Sequence, residues 1–348
     1  MEIPLYILKN AKTGAIVCTY KYNYVNLRPI MNCKLLHIAT LLLILPLAIL
    51  AQESQTAYDF LRVPQSAHAA ALGGDNISLV EDDPALVYNN PALLSSVSDK
   101  TLGINFMTYM QGAVIGGASF SRVVNDKASW GVMAQYVNYG KMKQTTADNT
   151  IIGEFSANDM ALEGVLSYQL AKNLVGGITA KCIGSFIGDY NSYAVGVDLG
   201  LNYYDPDQEL SISAVAKNLG GQLKAYDDVY DKMPMDLQIG MTKKFPNMPF
   251  RLNATLVDMT HWDYSLLNHC VFGLDLLLGE QFYVSGGYNC RRAYDMKFNT
   301  TEEEKASSHG AGLSLGAGLL LDRFKLNVGW AKYHVSSNSL VFNLAFTL

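Results

Sequence analysis

The sequence predicts an all-β fold: a transmembrane antiparallel β-barrel of about 14 strands, entered by a small N-terminal helical plug. Three observations carry this. Apolar residues alternate with small or polar ones from Thr101 to the C-terminus, the pattern of strands with two chemically opposed faces. The polar face is rich in Gly, Asn and Ser and poor in Lys and Glu, which suits a lumen or a plug contact better than an open aqueous surface. Charged residues are only 16% of the chain, with 29 Gly and 21 Tyr, and beyond residue 51 no run is long and apolar enough for a membrane helix.

The first elements are targeting segments. Met31–Ala51 (MNCKLLHIATLLLILPLAILA) has a Lys near its start, an apolar stretch from Leu35 and a small residue at Ala51. That is the layout of a cleaved secretory signal peptide, leaving Gln52 first. A permanent membrane anchor is disfavoured by Pro46 and by the short apolar run. Residues 1–30 have no such logic and read as a start assigned too early, with Met31 the true start. Loss of 1–51 leaves 21 basic against 30 acidic residues, a net charge near −9. This argues against nucleic acid as a partner, because phosphate binding needs a basic surface. Cys182, Cys270 and Cys290 remain. An odd number at wide spacing is neither a disulfide framework nor a zinc site.

Residues 52–100 form an N-terminal extension and plug. Within it, Ser66–Leu94 is too short and too Gly/Ala-rich to be a domain. Asp82-Asp83-Pro84 and Asn90-Pro91-Ala92-Leu93-Leu94 read as helix starts. Asp or Asn accepts from free N–H groups of the first turn, and Pro at the first helical position loses no hydrogen bond. Leu93 and Leu94 are then expected to pack on the inner wall.

Residues 101–348 form the barrel. Candidate strands lie at 101–109, 112–122, 129–139, 159–170, 174–185, 192–204, 209–217, 235–245, 250–259, 265–278, 280–291, 306–321, 323–334 and 340–348. An even number is expected of a bacterial barrel. Short turns fall at Asn125-Asp126, Lys172-Asn173, Asp205-Pro206-Asp207, Pro246-Asn247, Gly279-Glu280 and Asp322-Arg323, all turn-forming residues. The longest connections, 140–158, 218–234 and 292–305, share the opposite parity, as long outside loops opposite short periplasmic turns require. This topology places both ends of the barrel in the periplasm. The first hairpin, at Met110-Gln111, is short for an outside loop. The last strand, Leu340 to Leu348, has the alternating form of a closing barrel strand.

Thr56–Pro64 (TAYDFLRVP), Ser66–Gly74 (SAHAAALGG), Glu81-Asp82-Asp83-Pro84, Asn90-Pro91-Ala92-Leu93-Leu94 and Ser98-Asp99-Lys100-Thr101 occur in that order. Together they resemble the PorQ family of the type IX secretion system. The Asn-Pro-Ala-x-Leu element is shared more widely among FadL-like barrels, including fatty-acid channels and the PorV family. The resemblance spans 56–348 and is sharp over about 56–120. It implies a FadL-like barrel of 14 strands in the bacterial outer membrane, in contact with outer-membrane lipid. It also implies a non-enzymatic place in the attachment complex, with PorZ, PorU and PorV as partners and an anchoring role chiefly toward PorZ. The alternative is a FadL-like channel for hydrophobic small molecules, for which the Gly/Ser/Asn lumen offers little apolar lining.

Motifs suggestive of chemistry are weak. Gly310–Gly318 places Gly on alternate positions, as on a strand face, with no helix following, so it does not read as a nucleotide loop. Glu81-Asp82-Asp83 could hold a hard cation, but reads better as a capped turn. His261 and His269 lack further ligands at metal spacing. No nucleophile elbow or other catalytic set is present, so neither catalytic residues, a metal nor a cofactor is expected. Glu163, Lys181, Asp198, Asp275 and Lys325 fall on lumen positions and are expected to pair with one another or with the plug. Tyr226, Asp227, Asp228, Tyr230 and Asp231 interleave aromatics with carboxylates in a long outside loop, a possible docking surface for a protein partner.

Overall fold

The computed structural model describes residues 7–9, 16–18, 56–148, 150–261, 265–296, 310–334 and 337–348. The chain divides into two compact units, Met1–Leu50 and Ala51–Leu348. In the first, Ile7–Lys9 and Ile16–Cys18 pair as an antiparallel ribbon. The expected signal segment lies outside the described residues.

In the second unit, fourteen strands close into one antiparallel barrel. They are β1 Thr101–Thr108, β2 Val114–Asn125, β3 Ala128–Thr145, β4 Ile151–Ala171, β5 Leu174–Ile187, β6 Tyr190–Asp205 and β7 Leu210–Lys224, then β8 Asp236–Lys244, β9 Phe250–Leu256, β10 Cys270–Leu278, β11 Phe282–Asn289, β12 Leu313–Leu320, β13 Phe324–His334 and β14 Ser337–Thr347. Each strand pairs with its neighbours in sequence, and β14 closes on β1 from Val341↔Met107 to Thr347↔Thr101. Closure removes the open edges that a sheet of this length would otherwise expose.

The period-two pattern sorts the faces. Ile104, Leu162, Leu166 and Leu315 point outward at roughly 60% exposure, within a belt that also carries Trp130, Tyr136, Tyr168, Tyr193, Phe272 and Phe282. An apolar belt this continuous marks contact with lipid. The inward face carries buried Asn105, Ser121, Thr179, Asn202, Ser213, Asn327 and Asn343.

One end of the barrel has the six short turns anticipated from Asn125 to Arg323. Asn125 and Asp205 fold theirs by accepting from Lys127 N–H (2.9 Å) and Asp207 N–H (3.0 Å). The other end differs from expectation in three ways. Strands β3 and β4 stay paired out to Thr145↔Ile151, so the long 140–158 connection shrinks to 146–150. β2 leaves β3 at Val114↔Asn138, and β5 joins β4 only at Ala157↔Ile187. A two-stranded ribbon therefore stands beyond the wall. Spanning needs only about 9–11 residues, and the extra length in β3 and β4 builds this ribbon. β7 likewise runs to Lys224, so the 218–234 loop begins at 225. The connection from 257 to 269 is longer than its sequence suggested, because β9 stops at Leu256 and a 3-10 turn covers Leu266–His269. The 292–305 segment opens with a short helix, Cys290–Asp295, capped by Asn289, and its remainder from 297 lies outside the described residues. The first hairpin turns in one 3-10 step, with Gln111 and Gly112 at positive φ.

The two ends of the barrel lie together at the short-turn end as expected, and only the plug enters elsewhere. Leu348 N–H donates to Lys100 O at the short-turn end, whereas Ala57 N–H donates to Lys232 O in the connection after β7. The plug segment therefore enters from the long-loop end and runs through the lumen to β1. Its path is α-helix Ala67–Ala71 and 3-10 helices Asp59–Arg62, Pro84–Tyr88 and Pro91–Ser96.

Candidate functional site

The plug fixes itself first by local caps. Ser66 Oγ accepts from Ala69 N–H at 3.2 Å. Asp83 accepts from Ala85 N–H at 2.9 Å, and Asn90 from Ala92 N–H at 3.0 Å. Pro84 and Pro91 occupy first-turn positions, where a missing N–H costs nothing. Asp82 takes the N–H of Ser98 at 2.7 Å and pairs with Lys325. Ala92, Leu93 and Leu94 are buried: Leu93 among Leu72, Leu79 and Leu86, and Leu94 against Val87, Met133 and Val165 of the wall.

Strand glycines admit the plug backbone. A Cβ at Gly177 or Gly200 would collide with Asn90-Pro91, and one at Gly329 with the Ala67 backbone. Gly316, within the Gly310–Gly318 run, likewise faces Ala71. The small-residue face of the strands is thus a mould of the plug rather than an open channel lining.

Charges complete the join. His68 donates Nδ1–H to Glu81 and Nε2–H to Asp275, 2.9 Å each. Arg251 forms an ion pair with Glu81, Nη2 to carboxylate oxygen 2.6 Å, and donates Nε–H to Asp275 at 2.8 Å. Ser285 adds a 2.5 Å hydrogen bond to Asp275, and the Tyr283 ring stacks on His68 at 3.9 Å. This four-membered ring of charge ties plug to β9 and β10. Burial opposes the charged imidazole, but Glu81 and Asp275 outweigh it and hold His68 raised to about 9. Burial likewise opposes ionised Glu81, and Arg251 and His68 outweigh it, lowering Glu81 to about 2. Asp83, dominated by burial, is raised to about 6. The carboxylates of Glu81, Asp82 and Asp83 point to different partners and do not converge on a common point. On the far wall, Lys181 pairs with Asp198 at 2.7 Å beside buried Glu163. Asn218, at φ 56, accepts from Lys181 and donates its N–H to Asp198.

Above the plug, at the long-loop end, lies a polar vestibule of about 270 Å³. Its wall includes Arg62, Asp75, Lys217, Asp236, Gln238 and Tyr333. Burial raises the Asp75 carboxyl above its ordinary value. Sequence reasoning missed this site, because its residues are scattered over the plug, four strands and their connections and share no motif. A larger groove of about 810 Å³ crosses β2 to β7. Its lining includes the outward-facing Ala134, Tyr136, Leu162, Cys182 and Tyr193 on the lipid side.

The loop residues singled out from the sequence split in two. Tyr226 turns inward: its hydroxyl donates to Ser185 at 2.6 Å and its ring lies 6.4 Å from Tyr58. Asp231 is half-buried, its N–H donating to Gln222. Asp227, Asp228 and Tyr230 are exposed at the tip. His261 pairs with Asp258 at 2.7 Å, and buried His269 faces Val257 O at 2.8 Å.

No family model matches the chain, and no curated protein matches it. Solved structures do. The Pseudomonas putida toluene transporter TodX is 15% identical, covering 81% of this chain and 97% of its own, with a TM-score of 0.52. CymD, a monoaromatic hydrocarbon channel, is 12% identical over 82% and 97%, with a TM-score of 0.53. A deletion mutant of TodX gives 13% identity over 80% and 96%, and a TM-score of 0.53. At such identities the likeness shows the fold: a FadL-like barrel.

Proposed function

We propose that this FadL-like chain is an integral outer-membrane barrel whose lumen is closed and which serves as a surface scaffold. The observation that supports it most directly is the His68–Glu81–Arg251–Asp275 ring, which anchors the plug by buried charge. Truncating one member of such a ring leaves another charge buried and unpaired, at a cost of about 3–5 kcal/mol, so the plug is held as a fixed part of the wall. The vestibule above it sets Arg62, Asp75, Lys217 and Asp236 among Leu61, Val63 and Val257, so an apolar solute entering it would desolvate charged groups. The ordered resemblance over Thr56–Thr101 supports the finer reading: a component of the type IX attachment complex, non-enzymatic, holding a PorZ-like partner beside PorU and PorV. The exposed tip Asp227–Tyr230 and the ribbon at the end of β3 and β4 are the surfaces offered to it. The test is retention of the PorZ-like protein on intact cells carrying deletions of 227–230 or 143–153 at matched barrel levels. Full retention in both would remove the support for this reading.

A second reading, a channel for hydrophobic small molecules, draws on the hydrocarbon channels that share the fold. It also draws on an apolar cluster at the outer end of the lumen. There Ala57, Tyr58 and Phe60 pack against Ile115, Val137, Ala161, Ile183 and Ala194. Withdrawal of Ala57–Phe60 would leave an apolar pocket at that place. Toluene uptake into proteoliposomes that rises when residues 56–61 are deleted, and is measurable in the intact protein, would favour this reading over the scaffold.

A further inference from the structure

We propose that the vestibule above the plug binds a small zwitterion of the α-amino-acid type. The site is built from both the plug and the wall. Gln238 is 1% exposed and lines the cavity. Its Nε2–H donates to Asp236 at 2.6 Å, while its Oε1 has no hydrogen-bond partner. The Tyr333 hydroxyl is buried in the same cavity, likewise without a hydrogen-bond partner. A buried polar atom left unmatched is costly, so both atoms favour a polar occupant.

Charge decides which polar occupant. Lys217 lines the cavity and is felt electrostatically by Asp75, with which it makes no direct ion pair. Arg62 lies on the same rim. Asp75 takes a single side-chain hydrogen bond, from Asn289 at 3.1 Å. The register sets Asp236 opposite Lys217 and Gln238 opposite Val215. Lys217 and Gln238 are therefore diagonal neighbours on one inward face, about 7–8 Å apart. An open cation thus stands beside open acceptors at small-molecule distance. A simple anion would meet Lys217 and leave Asp75 and Gln238 Oε1 unmatched, and a simple cation would do the reverse. An apolar solute would strip water from all of them. A zwitterion places its carboxylate on Lys217 and Arg62 and its ammonium on Asp75 and Gln238. The volume of about 270 Å³ suits a solute of that size, just below the usual range for drug-sized ligands of about 300–1,000 Å³.

This inference goes beyond the scaffold reading and does not depend on it. The test uses the full barrel purified in detergent, titrated with glycine and L-alanine by calorimetry and saturation-transfer NMR. Acetate, methylammonium and toluene serve as controls. Both zwitterions should bind saturably, and each control about tenfold more weakly or not at all. Lys217→Met on the wall and Asp75→Asn on the plug should each weaken binding about tenfold, at unchanged heat resistance on gels. Lys217→Arg should retain it. Should Lys217→Met fail to fold, Gln238→Leu gives the same reading from the neighbouring strand. Absence of saturable zwitterion binding, equal binding of acetate and glycine, or unchanged affinity in the folded variants would overturn the proposal.

Discussion

At the residue scale, His68 is the group on which the plug turns. It pairs with Glu81 and Asp275, both of which also pair with Arg251, and Tyr283 stacks on its ring. Its raised value of about 9 means its charge stabilises the fold fully below the ordinary value of 6.5 and is lost as pH rises through about 9. Glu81, lowered to about 2, contributes fully above its ordinary 4.5 and loses that contribution as pH falls through about 2. Asp83, raised to about 6, runs the other way and costs stability as pH climbs from 3.8 through 6. Heat resistance of the purified barrel should therefore fall as pH rises from about 6.5 to about 9 and level off beyond that. In His68→Gln that alkaline fall should vanish, while resistance at neutral pH drops. Thermal gel-shift across pH 3–11 measures both. Gly200 gives a steric counterpart. A side chain there meets Asn90 and Pro91, so Gly200→Val should cost about 1–3 kcal/mol by overpacking, seen as a lower unfolding midpoint. Asn90→Ala should cost about 1 kcal/mol as a lost cap.

At the element scale, the 3-10 helix Pro91–Ser96 and the ribbon of β3 and β4 behave oppositely. Leu94 is 2% exposed, against Met133 and Val165. Leu94→Ala should cost about 2–5 kcal/mol and lower barrel abundance. The ribbon makes no strand pairing with the wall beyond Asn138 on one edge or Ala157 on the other. Its removal at 143–153 should leave the unfolding midpoint within about 0.5 kcal/mol of the parent. A large loss of heat resistance on that deletion would show that the ribbon supports the barrel after all.

For the whole molecule, a closed wall around a tied plug should pass little current. Single-channel recording of the intact protein should show no steady large conductance, whereas deletion of residues 57–97 should open one. A large steady conductance in the intact barrel would contradict a closed lumen. The entry point of the plug makes a second expectation. A tag placed at Thr56 should be labelled on intact cells together with tags at 227–230, and a tag at Asp205-Pro206 should not. Labelling of Asp205-Pro206 alone would invert the barrel.

The sequence by itself determined the strand number, their order and which face of each strand meets lipid. A period-two alternation assigns faces residue by residue, and short turns of Asn, Asp, Gly and Pro punctuate it locally. Asn90-Pro91 and Asp83-Pro84 likewise state their caps in adjacent residues. Lys181, Asp198, Asp275 and Lys325 could be placed in the lumen by parity, but their partners could not be read. His68 meets Asp275 across 207 positions and Asp82 meets Lys325 across 243, and nothing local encodes such distances. Tyr226 shows the same limit: its loop is legible, while its inward turn depends on Ser185 and Tyr58. The end at which the plug enters was also closed to sequence reasoning, because strand parity fixes only Thr101 and Leu348. Tertiary structure decided it, through the lumen-filling contacts of Ala57–Phe60 and the Ala57–Lys232 hydrogen bond. The vestibule is wholly of that kind, since Asp75, Lys217 and Gln238 become neighbours only when barrel closure and plug docking bring separate elements around one space.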